Sequence, residues 1–408
     1  MPIFSISKST VFLLFLIFSS CKGQQKKEKI PIHSGAKDTI PKIRVAANRT
    51  ELLLPLLQDK NVAIVANPTS VIFHKKGYTH LVDSLISLKV NIEKVFAPEH
   101  GFRGKADAGE HVKDGMDTKT GLPIVSLYGK NRKPSAAHVK GLDIVLFDIQ
   151  DVGARFYTYI ATLQLVMEAC AANNIQVLVL DRPNPNGHYV DGPTMKQQHT
   201  GFLGMTTIPL VHGMTIGEYA QMLNGEKWLA DGIQANLTVI PMENYTHASE
   251  YHLPIRPSPN LPNDVSITLY PSLGLFEGTN VNAGRGTEFQ FQRYGASFID
   301  SAQYNFSYIP KPNFGSKHPK EEGKICFGKD LSQTQRMQEV SLQWLLDAYQ
   351  NTLDKSKFFI TSGFTKHAGT TVLQQQIEAG LTEAEIKATW QEELEAFKKI
   401  REKYLMYD

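Results

Sequence analysis

Short apolar runs alternate with helical patterns through the first half of this sequence. A compact apolar run is typical of a strand buried on both faces of a sheet. Such runs predict strands over residues 61–66 (NVAIVA), 92–97, 123–127, 142–147 and 175–180 (IQVLVL). Apolar residues at helical spacing predict helices over residues 78–88, 157–172 and 215–229. The alternation predicts an α/β fold, with a parallel sheet and helices on both faces.

The second half of the chain is less regular. Residues 251–263 carry four prolines and predict an ordered loop, and residues 357–369 predict a strand with its loop. Thr382 and Glu385 form a capping box that opens a C-terminal helix. The apolar positions of that helix are Ile386, Trp390, Leu394 and Phe397. We expect an N-terminal domain over residues 43–235 and a smaller domain over residues 236–408.

Polar residues follow nearly every predicted strand. Because the carboxyl ends of parallel strands meet at one edge of a sheet, residues distant in sequence converge there. The strand-end residues are Asn67, Glu99, His100, Asp148, Asp151, Asp181, Arg182 and Asn184. The densest cluster is residues 147–160 (FDIQDVGARFYTYI), which adds Arg155 and Tyr157. Each residue alone is more often a cap or a turn former, so their shared edge favours a functional site.

The N-terminus predicts export. Lys8 precedes the apolar run VFLLFLIF, which is too short to span a bilayer and is followed by Ser-Ser-Cys. Residues 1–21 therefore predict a lipoprotein signal in which Cys21 becomes the lipidated N-terminus. The lysine-rich residues 22–42 predict a flexible tether, and we expect a periplasmic or cell-envelope lipoprotein. The formal charge of +3, with no basic stripe, argues against a nucleic-acid partner.

Carboxylates dominate the predicted edge. Two carboxylates that flank a glycosidic bond suffice for its hydrolysis, one as acid and the other as base or nucleophile. The sequence has no GxSxG elbow and no phosphate-binding glycine loop. His100 with Glu99, Asp148 and Asp151 leaves a metal-dependent hydrolase as an alternative, although no metal-ligand spacing supports it. A non-catalytic lipoprotein that binds cell-wall fragments is the other alternative.

Six segments together resemble one known family. They are residues 97–104 (APEHGFRG), 107–110 (DAGE), 120–129 (TGLPIVSLYG), 147–160, 181–187 (DRPNPNG) and 277–286 (EGTNVNAGRG). This combination resembles the NamZ-like exo-β-N-acetylmuramidases. The resemblance implies a Rossmann-like N-terminal domain, a smaller α/β C-terminal domain and an active site in the cleft between them. It implies removal of terminal N-acetylmuramic acid (MurNAc) from peptidoglycan fragments without a cofactor.

The resemblance also implies roles for individual residues. Glu99 is the candidate general acid, Asp151 the second carboxylate or an electrostatic partner, and Asp148 the next choice. The expected substrate-binding residues are Asn67, His100, Arg103, Arg155, Tyr157, Arg182, Asn184, Glu277, Asn280 and Arg285. Among them, we expect the arginines to hold the lactyl carboxylate.

Overall fold

A computed structural model describes residues 42–103 and 114–408. The strands of these residues are β1 Val62–Ala66, β2 Val71–His74, β3 Gly77–His80, β4 Ile92–Ala97, β5 Gly115–Met116, β6 Pro123–Ser126, β7 Ile144–Asp148, β8 Gln176–Leu180, β9 Leu237–Ile240, β10 Arg293–Ala296, β11 Phe306–Tyr308 and β12 Cys326–Asp330. The α-helices are α1 Thr50–Leu57, α2 Leu81–Ser87, α3 Ala136–Val139, α4 Tyr159–Ala171, α5 Ile216–Gly225, α6 Asp264–Leu273, α7 Gln343–Gln350, α8 Thr361–Ala368, α9 Val372–Glu378, α10 Glu383–Ala388 and α11 Gln391–Arg401.

The main sheet has the strand order β5-β6-β4-β1-β7-β8-β9. All neighbouring strands are parallel except β5, which pairs antiparallel with β6. Numbered along the chain, the six parallel strands lie in the Rossmann order 3-2-1-4-5-6. The predicted parallel sheet is therefore confirmed. Strand β9, which follows residue 235, pairs with β8 and belongs to this sheet.

Alternate residues of the central strands face two separate cores. On β1, Ala63 and Val65 join the core that contains α4 and α5, whereas Val62 and Ile64 join the core that contains α1 and α2. Each of these four residues is fully buried. Burial on both faces explains why the strands are continuous apolar runs.

The C-terminal part forms a smaller unit on one face of this arrangement. Strands β10, β12 and β11 make an antiparallel sheet, and the apolar faces of α7 to α11 share the core of α4 and α5. The Thr382–Glu385 capping box is confirmed. The expected apolar positions, Ile386, Trp390, Leu394 and Phe397, are buried, although they lie on two helices, α10 and α11.

One predicted element begins too early, and another is wrong. Residues 78–80 form strand β3 of a hairpin rather than the first turn of a helix, because Tyr78 pairs with Phe73 across β2 and lies outside the core. Residues 357–369 form a turn followed by α8 rather than a strand. Phe358 and Phe364 are both buried there, and Gly369 ends the helix with a φ of 82°.

The predicted lipidation site Cys21, the signal sequence and all but the last residue of the tether lie outside the described residues, so export stays a prediction. Within the described residues, no helix is long and apolar enough to cross a membrane. Cys170 and Cys326 are both buried with free thiols.

Candidate active site

A cavity of about 510 Å³ opens beside the carboxyl ends of β4 and β6. Its lining combines one carboxylate, two cationic side chains, hydroxyl groups and an apolar wall. The lining residues are Glu99, Tyr128, Arg132, Thr158, Met195, His199, Thr200, Gly201, Phe202, Leu203, Gly204 and Lys366. The volume lies within the range of small-molecule sites. Glu99, the predicted general acid, is its carboxylate.

The turn after β4 places Glu99 in this cavity. His100 and Gly101 have positive φ values of 69° and 76°, and Gly101 N–H donates to the carbonyl oxygen of Pro98 at 3.0 Å. The chain therefore reverses directly after Glu99 and leaves its side chain half-buried at the sheet edge. His100 itself is buried.

Two hydroxyl groups hold the Glu99 side chain. Thr158 Oγ1 donates to Glu99 Oε2 at 2.9 Å, and Tyr128 also hydrogen-bonds to this carboxylate. Burial, and then the charge of Glu99, raise the pKa of Tyr128 well above its ordinary value. A hydroxyl group donates to a carboxylate and accepts from a carboxylic acid. The arrangement can therefore hold Glu99 in either protonation state, as proton transfer requires.

Thr158 also places the Glu99 side chain next to the N-terminus of α4. Thr158 is the residue before the helix, and its hydroxyl donates to Glu99 rather than capping the backbone. Tyr159, the first helical residue, donates from its hydroxyl to the backbone oxygen of Glu99 at 3.4 Å. The segment 147–160 thus contributes to the site through Thr158.

Glu277 is a second carboxylate; it does not line the cavity, and it lies beside two cations. Arg285 Nη1 lies 3.0 Å from Glu277 Oε2 and 3.3 Å from Oε1. The ammonium of Lys320 donates to the backbone oxygens of Phe276, Glu277 and Thr279. Burial raises the pKa of Glu277, but the charges of Arg285 and Lys320 outweigh this effect and lower it. Glu277 is therefore held in its ionised form.

Tyr270, on α6, connects the two carboxylates electrostatically. Burial raises its pKa well above the ordinary value, and the charges of Glu277 and Glu99 raise it further. Its ring packs edge-on against Phe156 at 5.1 Å and Tyr157 at 5.9 Å between centroids. Glu277 and Glu99 come from different halves of the chain, so the phenol lies where both halves meet.

Asp151 lies behind this site rather than in the cavity lining. It is 4% exposed, Oδ2 accepts from Gly153 N–H at 2.7 Å, and Oδ1 has no partner among the described residues. His212 Nε2 lies 3.8 Å from Oδ2. Burial raises the pKa of Asp151 to about 7. The geometry favours an electrostatic role for Asp151 over direct contact with substrate.

Asp148 and Arg182 form a buried ion pair. Arg182 Nε and Nη2 donate to the two oxygens of Asp148 at 2.6 Å and 2.8 Å, and Nη2 also donates to the backbone oxygen of Val71. Asp148 is 0% exposed. Because each carboxylate oxygen already binds a guanidinium nitrogen, this geometry favours a role in joining strand ends over one in catalysis or sugar binding.

The other arginines proposed to bind substrate are also engaged elsewhere. Arg103 pairs with Asp83 and Asp117. Arg155 is fully buried and donates to the backbone oxygens of Pro193, Ile208 and His367.

The neutral candidates lie outside the lining as well. Asn67 Oδ1 accepts from Thr69, and Asn184 Nδ2 donates to the backbone oxygen of Met214. The Tyr157 hydroxyl donates to the backbone oxygen of Pro257. Asn280 is exposed and bonds to the backbone of residues 357 and 358.

Several lining residues were not predicted from the sequence. Tyr128 follows the predicted strand 123–127, but an uncharged tyrosine at a strand end is no signal for a site. Lys366 lies in residues 357–369, where the apolar run predicts a strand and its loop rather than the helix α8 that carries Lys366. Arg132 and Phe202 occur in irregular segments with no local signal, so only tertiary structure brings them to the cavity.

The residues considered as metal ligands do not assemble around one point. In the described ranges, no group of three or more His, Cys, Asp or Glu side chains has the arrangement of a metal site. Asp148 is also occupied by Arg182.

Comparison with known proteins identifies the family. A family model described as the N-terminal part of the exo-beta-N-acetylmuramidase NamZ matches residues 62–265, and its C-terminal counterpart matches residues 268–407. The chain belongs to the NamZ family. The N-terminal and C-terminal NamZ matches meet near residue 266. Glu99 lies in the first match and Glu277 in the second.

Individual relatives agree with this assignment. The chain is 38% identical over 369 residues to the peptidoglycan beta-N-acetylmuramidase NamZ of Bacillus subtilis (strain 168), covering 86% of this chain and 88% of that protein. A crystal structure of a DUF1343 family protein from Bacteroides fragilis NCTC 9343 is 43% identical, with a TM-score of 0.82 over 90% of this chain and 99% of that one. A second protein of that family and organism is 26% identical, with a TM-score of 0.76 over 90% of this chain and 100% of the other.

Proposed function

We propose that this NamZ family member is an exo-acting β-N-acetylmuramidase. It hydrolyses the glycosidic bond of the terminal, non-reducing MurNAc residue in peptidoglycan fragments by carboxylate catalysis. The observation that carries the proposal is the position of Glu99, whose carboxylate lines a sugar-sized cavity beside the carboxyl ends of the parallel strands β4 and β6. The activity given in the name of the Bacillus subtilis relative supports the substrate class.

The environments of the two carboxylates suggest their roles. Glycoside hydrolysis needs one proton donor and one group that stays ionised. Arg285 and Lys320 lower the pKa of Glu277, which suits it to act as a base, a nucleophile or a stabiliser of positive charge. Glu99 is then the general acid that protonates the leaving oxygen. Asp151 acts from behind as an electrostatic partner.

The test compares two leaving groups in the Glu99→Gln variant. On the MurNAc-GlcNAc disaccharide the leaving alkoxide needs a proton, so we expect kcat to fall by about 10²- to 10⁴-fold. On a 4-nitrophenyl β-MurNAc glycoside the leaving group departs without that help, so the loss in its release step should be much smaller. Steady-state kinetics of both substrates measures the difference.

Glu93→Gln is the matched control, because Glu93 lies on the same strand with an exposed side chain. It should keep both activities. Equal losses on both substrates in Glu99→Gln would contradict the role of acid, and normal turnover of the disaccharide would remove Glu99 from the mechanism. Running each assay with a chelator separates this mechanism from a metal-dependent one. Binding without any turnover would indicate a capture protein.

A further inference from the structure

Two cations in the cavity have no acidic partner. Arg132 and Lys366 both line it, and neither forms an ion pair with Asp or Glu within the part of the chain that the structure describes. By contrast, Arg103, Arg182 and Arg285 each pair with a carboxylate. An unpaired guanidinium and an unpaired ammonium beside one cavity point to an anionic ligand.

Arg132 is held in a defined orientation. Its guanidinium carbon lies 4.2 Å from the centroid of the Phe202 ring, which is the geometry of a cation–π contact. Phe202 itself lies in a tight turn, because the backbones of Gly201 and Gly204 bond to each other in both directions, at 3.0 Å and 2.8 Å. Stacking on a fixed ring leaves the edge of the guanidinium available for a planar carboxylate.

Arg132 also lies near the proposed general acid. Its positive charge opposes the rise in the pKa of Tyr128, the residue that hydrogen-bonds to Glu99. Arg132 and Glu99 line the same cavity, so a ligand that reaches Glu99 there can present an anionic group to Arg132. The apolar wall of Met195, Phe202 and Leu203 lies in the same cavity.

Lys366 reaches the cavity from the other half of the chain. Gly369, which follows its helix α8, accepts a hydrogen bond from Lys196 N–H at 2.8 Å, and Lys196 follows the lining residue Met195. Arg155 binds the backbone oxygen of His367 next to Lys366. These contacts do not involve the Lys366 side chain, and they fix the end of α8 beside the cavity that Arg132 also lines.

We propose that Arg132, stacked on Phe202, and Lys366 bind the lactyl carboxylate of MurNAc and select MurNAc over GlcNAc. The inference rests on the proposed function, which supplies the substrate. MurNAc and GlcNAc differ only by the lactyl ether at O3, which adds one carboxylate and one methyl group. The cations match the carboxylate, and the apolar wall matches the methyl group. These residues determine specificity and take no part in bond cleavage.

The test measures binding of free MurNAc, MurNAc with its carboxyl group converted to an amide, and GlcNAc by calorimetry. We expect the unmodified protein to bind MurNAc most tightly, with affinity that falls as salt is added. Arg132→Met should lower the affinity for MurNAc by about 10- to 100-fold, as expected for loss of a charge-assisted hydrogen bond. MurNAc should then bind about as weakly as its amide. Arg132→Lys should restore part of the difference, and Lys366→Met should show a smaller loss.

Lys130→Met is the control, because Lys130 is exposed nearby but does not line the cavity. It should bind all three sugars as the unmodified protein does. The proposal is overturned if Arg132→Met and Lys366→Met keep the preference for MurNAc, or if they weaken MurNAc and its amide equally. Turnover of the disaccharide is measured in parallel. Selective binding without turnover would reject the proposed function alone, and turnover with an unchanged preference would reject this inference alone.

Discussion

Asp151 and His212 form an unusual neutral pair in the interior. Met214 N–H donates to His212 Nδ1 at 3.2 Å, which assigns the ring proton to Nε2, the atom that faces Asp151. Burial, together with the charges of Arg401 and Arg155, lowers the pKa of His212 to about 3, so the imidazole carries no charge to offset an ionised Asp151. The carboxyl group is therefore costly to ionise in the folded state.

This cost predicts how stability depends on pH. The pKa of Asp151 is about 7 in the folded protein against an ordinary value of 3.8, so the folded state retains a proton that the unfolded state loses. Stability should therefore fall as pH rises from about 4 to about 7, by up to about 4 kcal/mol for this group. The side chain of Asp151→Asn does not titrate. We therefore expect the melting temperature of the variant, relative to that of the unmodified protein, to be higher at pH 8 than at pH 5.

Asp181 is a second buried carboxyl group that titrates in the same pH range, so the variant has to be compared with the unmodified protein. Burial also raises its pKa to about 7, and it is unchanged in the variant. Both proteins should therefore still lose stability as pH rises, and only the difference between them reports Asp151. A difference that is the same at pH 5 and pH 8 would show that Asp151 is already ionised at the lower pH.

At the scale of elements, the Asp148–Arg182 pair joins the ends of three strands. Asp148 ends β7, Arg182 follows β8, and Val71 begins β2. Ser70 Oγ also donates to the backbone oxygen of Asp148. The pair thus fixes the sheet edge from which the active-site loops leave.

Removing one partner of this ion pair should lower the free energy of unfolding more than removing both partners. Arg182→Met leaves the Asp148 carboxylate buried without its partner, and we expect a loss of about 3–5 kcal/mol in the free energy of unfolding. The double variant Asp148→Leu, Arg182→Met removes both charges and should recover part of that loss. Denaturant unfolding of Arg182→Met, of Asp148→Leu and of the double variant measures the coupling. A double variant as unstable as the sum of the single variants would contradict a direct interaction.

The sequence predicted the elements well where one local cause determines them. The strands of the main sheet are buried on both faces, so each is a continuous apolar run whatever its neighbours are. The strand predicted in residues 357–369 is wrong because Phe358 and Phe364 are buried by tertiary contacts around a turn. A short apolar run in the sequence looks the same in either case.

The site was predicted less completely for a related reason. Glu99 follows a strand at the sheet edge, so topology alone brings it to the cavity. Arg103, Arg155 and Arg182 look equally suited to bind a carboxylate, but their partners Asp117, His367 and Asp148 occupy them. Competition between partners distant in sequence has no local pattern. The same holds for Arg132, whose stacking on Phe202 appears only in the folded chain.

At the scale of the whole molecule, Arg155 links the two halves. It is fully buried, and it has no carboxylate partner among the residues that the structure describes. Burial lowers its pKa to about 9. Its guanidinium donates at 2.6 Å and 2.9 Å to the backbone oxygens of Pro193 and Ile208 in the first half, and at 2.8 Å to that of His367 in the second. One side chain therefore bonds the first half of the chain to α8, next to the backbone hydrogen bond between Lys196 and Gly369.

We expect Arg155→Met to lose at least about 3 kcal/mol in the free energy of unfolding, because three buried carbonyl groups lose their donor. The KM for the disaccharide should rise as well, because α8, which carries Lys366, keeps only the Lys196–Gly369 hydrogen bond of these two contacts. Arg256→Met, at an exposed arginine, is the control for loss of a positive charge. Chemical denaturation and steady-state kinetics measure both effects. An Arg155→Met protein as stable as the control would show that other contacts hold the halves together.

The contact between Arg155 and His367 also constrains how this protein can be inherited. A recombination event near residue 266 would join a first half from one relative to a second half from another. Such a hybrid would keep both Glu99 and Glu277. Its α8 would also have to place the backbone oxygen of residue 367 within hydrogen-bond distance of Arg155. We therefore expect a hybrid that loses this hydrogen bond to be less stable than either parent protein.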